Sequence, residues 1–297
     1  MPVVRGDRIL VTNCWRGTDA PGTSSKKTKI CMPEKIEVLY YVDDNLEAVS
    51  RRTAQYAVER IVAAATARGK ARFAISGGNT PKHTFELLAD TSAPYRARIP
   101  WGKLELYWVD ERCVPPDHLD SNYRMTREAL LDKVPLSSTQ IFRIQGELPP
   151  EEAAAKYEFD IRQSFRLEGA EIPSFDLLAL GMGPDGHTAS LFPHTQGLHE
   201  MTRIAIANHV ATQKESWRVT LTRPVINQAA DVFFLIEGAD KVDALKHVFL
   251  GPYDPETFPS QLIKPAGRRI TLFLDSAAAA ALPQPGPNQP GRLEIAG

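Results

Sequence analysis

Five short apolar runs, each ending in a polar or glycine-bearing loop, constrain this chain more than any other feature. They are Arg72–Ile75, Leu104–Val109, Leu177–Leu180, Asp231–Ile236 and Arg269–Leu274. Runs of four to six residues without polar alternation read as strands buried on both faces. Lys35–Val42 alternates and reads as a first strand. Between the runs the spacing turns helical. Leu46, Val49, Thr53, Ala57, Ile61 and Ala64 recur at threes and fours, with Asp44 or Asn45 as a cap before them and Gly69 after. Ala154, Tyr157, Ile161 and Phe165 repeat the pattern behind Pro149-Pro150-Glu151-Glu152, whose acids suit a helix N-terminus. Strands alternating with helices predict a doubly wound, mainly parallel Rossmann-like α/β sheet with helices on both faces, in one domain over residues 35–281. Residues 1–34 (turn-forming and polar, without periodicity) and 282–297 (PQPGPNQPG) read as a flexible extension and a disordered end.

Charge narrows the function classes. Lysines and arginines number 35 and acids 36, a net charge of −1, which offers nothing to nucleic acid or to an anionic membrane. No apolar run is long enough to cross a bilayer, and the first residues lack a secretory pattern. Cys14, Cys31 and Cys113 have no metal-ligand spacing, so a reduced, cytoplasmic setting is expected. A monomer acting on a small molecule is the simplest expectation.

In an open α/β sheet, ligands bind outside the carboxyl ends of the strands, so the loops there are the places to look. After Ile75 comes Ser76-Gly77-Gly78-Asn79-Thr80-Pro81-Lys82, with Thr80 as the expected helix cap and Pro81 at the first helical position. Glycines beside a helix N-terminus let an anion approach unpaired N–H groups, a phosphate cradle in physical terms. The spacing is not that of a Walker loop, and the same residues also suit a plain strand-to-helix turn. After Val109 stand Asp110, Glu111 and Arg112, either a solvated turn or part of a site. Arg218 lies near the start of another strand, Trp217–Thr222.

After Leu180 the chain reads GMGPDGHTASLFP, which carries Asp185 and His187. Gly181, Gly183 and Gly186 mimic a dinucleotide fingerprint. The stretch sits past the middle of the chain, though, and has no ribose-binding acid about 20 residues on. An imidazole titrates near pH 6.5 in water, so His187 is suited to take a proton, and Asp185 to orient it or merely to close a turn. His194, His199 and His209 do not make a metal spacing with His187, and no metal or cofactor is expected. GxSxG is absent, which argues against a serine nucleophile.

Three segments together resemble the 6-phosphogluconolactonase family: Ile75–Lys82, Trp108–Tyr123 and Leu180–Pro193, with a weaker fourth at Trp217–Thr222. The resemblance spans roughly Lys35 to Leu274 and implies hydrolysis of 6-phospho-glucono-1,5-lactone, a sugar-phosphate lactone, without a cofactor. It also implies the sheet shared with glucosamine-6-phosphate deaminase. Carried over, His187 is the general base, Arg112 the catalytic arginine and Asp185 the aspartate of the PDGH loop. Gly77 and Gly78 match the family's phosphate-proximal glycines, and Arg218 a basic position assigned to phosphate; Ser76, Asn79, Thr80, Lys82 and Asp110 are expected to complete the substrate-binding set. Asn79 stands where related loops often have serine. Two other readings use the same scaffold, a sugar-phosphate deaminase or isomerase and a non-catalytic sugar-phosphate sensor. The deaminase relatives carry an acid just before the proline of the DGH loop, where this chain has Phe192. A sensor is free to lose His187 and Arg112, and both are present.

Overall fold

The burial of the middle strands explains the sheet before its topology is traced. β6 (Leu177–Leu180) and β9 (Val232–Ile236) are buried at every residue, and β10 (Arg269–Asp275) at all but its first. Such strands must be covered on both sides. The computed structural model describes residues 35–286 and 289–297. The chain begins with β1 (Lys35–Asp43) and α1 (Leu46–Arg68), capped by the Asn45 side chain and ended by Gly69 in the left-handed region (φ 78°). Next come β2 (Ala71–Ile75), α2 (Asn79–Ala89), β3 (Leu104–Trp108), β4 (Asp110–Arg112), α3 (Asn122–Ala129) and β5 (Ile141–Phe142). They are followed by α4 (Pro150–Phe165), β6, β7 (Ala205–His209), β8 (Trp217–Leu221) and α5 (Arg223–Gln228). β9, α6 (Val242–Leu250), β10 and β11 (Gly291–Ala296) complete the order.

The main sheet has eight strands in the order β11-β1-β10-β9-β6-β2-β3-β5. All neighbours run parallel except β11, which pairs antiparallel with β1. From β2 the chain winds outward to β3 and β5, then returns to β6 on the other side of β2 and winds the opposite way to β9 and β10. The direction therefore reverses between β2 and β6, and the crevice at their carboxyl ends is the topological switch point. The ladder between these two strands is short, Phe73 against Leu177 and Ala74 against Leu178. Past it, the buried Ser76 hydroxyl donates to the Ala179 carbonyl at 2.8 Å and holds the mouth of the crevice.

Two features depart from the sequence-based expectation. The end read as disordered from 282 onward contains β11, whose Arg292-Leu293-Glu294-Ile295 alternates and whose Ile295 and Leu293 pack on the core edge. A proline-rich approach hid a short edge strand, because composition was averaged over both. The charged triplet Asp110–Arg112 is not a turn. It is the edge of a second, antiparallel sheet, β4-β8-β7, that stands over the carboxyl end of the first. The expectation for residues 1–34 falls outside the described residues. Among the described residues no helix is long and apolar enough to cross a membrane.

Candidate active site

Three loops from the sheet's carboxyl end and the edge of the small sheet enclose a cavity of about 260 Å³. The loop after β2 supplies the first wall. Its helix starts at Asn79 with Gly78 at the cap position (φ 109°), two residues before the predicted Thr80 cap. Gly78 has no side chain to cap the helix, so the first N–H groups of α2 stay open toward an anion. Pro81 falls in the first turn, where its missing N–H loses nothing. Gly77 is fixed by packing, since a Cβ there would lie 1.9 Å from the Asn122 side-chain oxygen. Ser76, Gly77, Gly78, Asn79 and Thr80 all line the cavity. Lys82 does not; it is exposed on the outer side of α2, and a backbone cradle needs no lysine at this spacing.

The loop after β6 forms the second wall. Gly183 N–H donates to the His187 carbonyl at 2.9 Å, and Gly186 N–H to the Gly183 carbonyl at 2.9 Å. The loop thus closes on itself and carries Asp185 and His187 on one side. The Asp185 carboxylate accepts from His187 Nδ1 at 2.6 Å and from the His187 backbone N–H at 3.2 Å. An acceptor on Nδ1 favours the Nδ1–H tautomer and leaves Nε2 as the basic nitrogen. Burial pushes the Asp185 carboxyl up, but its hydrogen bonds and the charge of His187 outweigh this and leave it below the usual carboxylate range. Gly183 is obligatory, because a Cβ would sit 2.1 Å from His187 Nδ1 and 2.6 Å from the Asp185 carboxylate. Phe192 stacks on the imidazole at 3.8 Å between centroids and fixes its plane. Ala189, which also lines the cavity, is held at φ 51°, a conformation costing a non-glycine residue on the order of 1 kcal/mol.

The third wall is the small sheet. Arg112 on β4 and Arg218 on β8 are direct register partners, and both guanidinium groups reach the same cavity. Among the described residues neither has a carboxylate within ion-pair distance. Arg112 donates to the Asp120 carbonyl at 2.6 Å and Arg218 to the Glu215 carbonyl at 2.8 Å. The buried Nε of Arg112 has no hydrogen-bond partner among the described residues. Burial, reinforced by the like charge of Arg112, holds the Arg218 guanidinium below its ordinary value. Asp110 also lines the cavity; its carboxylate accepts from Ser190 at 2.6 Å, and its negative charge acts on Arg218 without forming an ion pair with it. Two adjacent guanidinium groups with spare donors make an anion-binding wall.

Sequence reasoning missed three contributors. Lys241 and Glu237, just past β9, line the cavity. A strand running into Glu-Gly at the sheet's carboxyl end was the available signal. Asn122 lines it as well, and its amide donates to the Asp110 carbonyl at 2.9 Å. Cys113 is a bystander, its thiol pushed up to about 11 by burial. His118, Asp120 and Glu215 converge outside the cavity, where Lys214 already sets its ammonium 2.8 Å from Asp120.

Fold and site together define an α/β protein with a histidine–aspartate pair facing an anion-binding wall at a topological switch point. The family model described as glucosamine-6-phosphate isomerases/6-phosphogluconolactonase matches residues 44–272, and the chain belongs to that family. It is 39% identical to the 6-phosphogluconolactonase of Synechocystis over 84% of this chain and 99% of that one. It is 39% identical to the human 6-phosphogluconolactonase, over 78% of this chain and 89% of the human one. The solved structure of 6-phosphogluconolactonase from Trypanosoma brucei superposes with a TM-score of 0.74 at 27% identity, covering 84% of this chain and all of that one.

Proposed function

We propose that the chain hydrolyses 6-phospho-D-glucono-1,5-lactone to 6-phospho-D-gluconate, the lactone-opening step of the oxidative pentose phosphate pathway, with His187 as general base. The observation that carries this is the pairing, in one small cavity, of an Asp185-oriented imidazole with two guanidinium groups that, among the described residues, have no carboxylate within ion-pair distance. Lactone hydrolysis asks for those groups. A water must lose a proton as it attacks the carbonyl, negative charge must be stabilised as the tetrahedral oxyanion forms, and the ring oxygen must regain a proton as its bond to carbon breaks. His187 Nε2 takes the first proton and returns it to the leaving oxygen, a relay worth roughly 10²–10⁴-fold. The glycine loop and α2 N-terminus, with one or both arginines, hold the phosphate. Binding energy spent there fixes the carbonyl against the water and raises the rate by positioning. No step calls for a cofactor.

Opening an amino-sugar phosphate and moving a proton between its carbons calls for a further carboxylate beside the histidine. That place is filled by the ring of Phe192, stacked on His187 and facing the Arg218 guanidinium at 5.7 Å. The test follows fresh 6-phosphogluconolactone, with its spontaneous hydrolysis subtracted, beside ammonia release from glucosamine 6-phosphate. Acceleration of the first without the second is expected. Ammonia release would promote the deaminase reading. Sugar-phosphate binding with neither reaction would promote a sensor.

A further inference from the structure

Between the two cavity residues Asp110 and Arg112, Glu111 points the other way, as strand alternation requires. Its side chain is buried, with the residue 2% exposed, and its carboxylate is fully engaged. One oxygen accepts from the Arg112 N–H at 2.8 Å and the Asn122 N–H at 2.7 Å; the other accepts from the Tyr123 N–H at 2.7 Å and the Ser121 hydroxyl at 3.1 Å. A single carboxylate therefore joins β4, which carries Arg112, to the first turn of α3. That turn places Asn122, whose side chain packs on Gly77 of the phosphate loop and bonds the Asp110 carbonyl. Nothing in this set touches His187. Ordinary helix capping does not need such a group, since Ser121 already accepts from the Arg124 N–H at 3.1 Å.

We propose that Glu111 is a positioning residue that sets the anion-binding half of the cavity, so that loss of its charge misplaces Arg112, Asn122 and the Gly77 loop together. The idea rests on the site assigned above and deepens it. Burial pushes the Glu111 carboxyl up to about 6 against the pull of its three N–H donors, so the charge is lost within the range where enzymes are assayed. The charged and titratable groups around it are Asp110 and Arg112 on its own strand, Cys113 beyond them, Tyr123 on α3, Arg218 on β8, and Arg143. On protonation one oxygen gains a hydrogen, and at least one of the four bonds must reverse or open, the N–H donors being unable to accept.

The direction of the expected effect separates positioning from simple electrostatics. Acidification adds positive charge to the site, and electrostatics alone predicts tighter anion binding. A loosened clasp predicts weaker binding. Sulfate is the suitable probe, because its charge does not change over this range. In the full-length protein, sulfate affinity measured by calorimetry is expected to fall from pH 7 to pH 5. In Glu111→Gln it is expected to be about tenfold weaker at pH 7.5, the worth of roughly one charged hydrogen bond, and flat or rising on acidification. In lactone hydrolysis the same variant raises KM more than it lowers kcat. Wild-type affinity that rises toward pH 5, or a Glu111→Gln protein that binds sulfate like wild type, overturns the proposal. Should Glu111→Gln fail to fold, the direction in the wild type decides alone. Sulfate needs no lactone chemistry, so a protein that behaves as expected here yet hydrolyses no lactone refutes the lactonase reading and not this one.

Discussion

The two ends of the same parallel strands treat charge in opposite ways. At the amino end, near the starts of β2, β6 and β9, cations meet carboxylates. Arg68 pairs with Asp176, Lys70 and Arg72 with Glu105, and Arg60 with Asp231, which also accepts from Tyr56 at 2.8 Å. A cleft of about 670 Å³ opens there, larger than the cavity at the other end. At the carboxyl end, Arg112 and Arg218 lie side by side, with no carboxylate within ion-pair distance among the described residues. Size alone would choose the amino end. Two adjacent guanidinium groups without an ion-pair partner among the described residues point to the carboxyl end, because perturbed charge clusters at functional sites.

Variants at the two ends should therefore fail differently. The largest effect is expected from Gly183→Ala, whose new methyl must displace His187 or Asp185. Spontaneous-corrected lactone hydrolysis should drop by about 10²-fold or more with the thermal midpoint little changed. Arg218→Ala should weaken 6-phosphogluconate binding by roughly 30-fold or more. It should leave the unfolding midpoint unchanged or higher, because it relieves two like charges. Arg72→Ala at the other end reverses that pattern. It loses Glu105, the Ser164 carbonyl and the Phe165 ring. It should lower stability on the order of 2 kcal/mol with kcat and KM unchanged, as urea unfolding and steady-state kinetics would show.

The smallest effect is one of pH, and the two ends again differ in sign. Burial pushes Glu105 up, but Lys70 and Arg72 outweigh it and hold the carboxyl below its ordinary value. Its contribution to stability is present above the ordinary carboxylate range and is lost as pH falls through the depressed value. Glu111 is raised to about 6. Its contribution is present below the ordinary value and is lost as pH rises through 6. Wild type should lose stability relative to Glu111→Gln by about 1–2 kcal/mol between pH 5 and 7. Urea midpoints of both proteins at the two pH values check this, and a wild-type midpoint that holds or rises relative to that of Glu111→Gln from pH 5 to pH 7 would contradict it.

What the sequence made legible follows from how local each signal is. The glycine loops after Ile75 and Leu180, the caps at Asn45 and Gly69, and the buried strands are short patterns with a direct conformational meaning. The sheet and the family both agree with that reading. The second sheet was not legible, because Asp110–Arg112 is three charged residues long and becomes a strand only by pairing with Val219 and its neighbours, more than a hundred residues on. The pairing of Arg112 with Arg218 comes from the same long-range register. The role of Glu111 is hidden for the same reason, since its donors on α3 lie eleven and twelve residues away. Lys82 follows the glycine loop directly in sequence, but helix geometry turns it outward.

The central claim is that chemistry and anion binding are carried by separate walls of one cavity. The direct test is His187→Ala, assayed for spontaneous-corrected hydrolysis of 6-phosphogluconolactone and, on the same sample, for 6-phosphogluconate binding by calorimetry. Hydrolysis is expected to collapse toward the uncatalysed rate while affinity stays within a few-fold of wild type. Hydrolysis that survives the substitution would contradict it and move the base elsewhere, with Asp185 the next group in line.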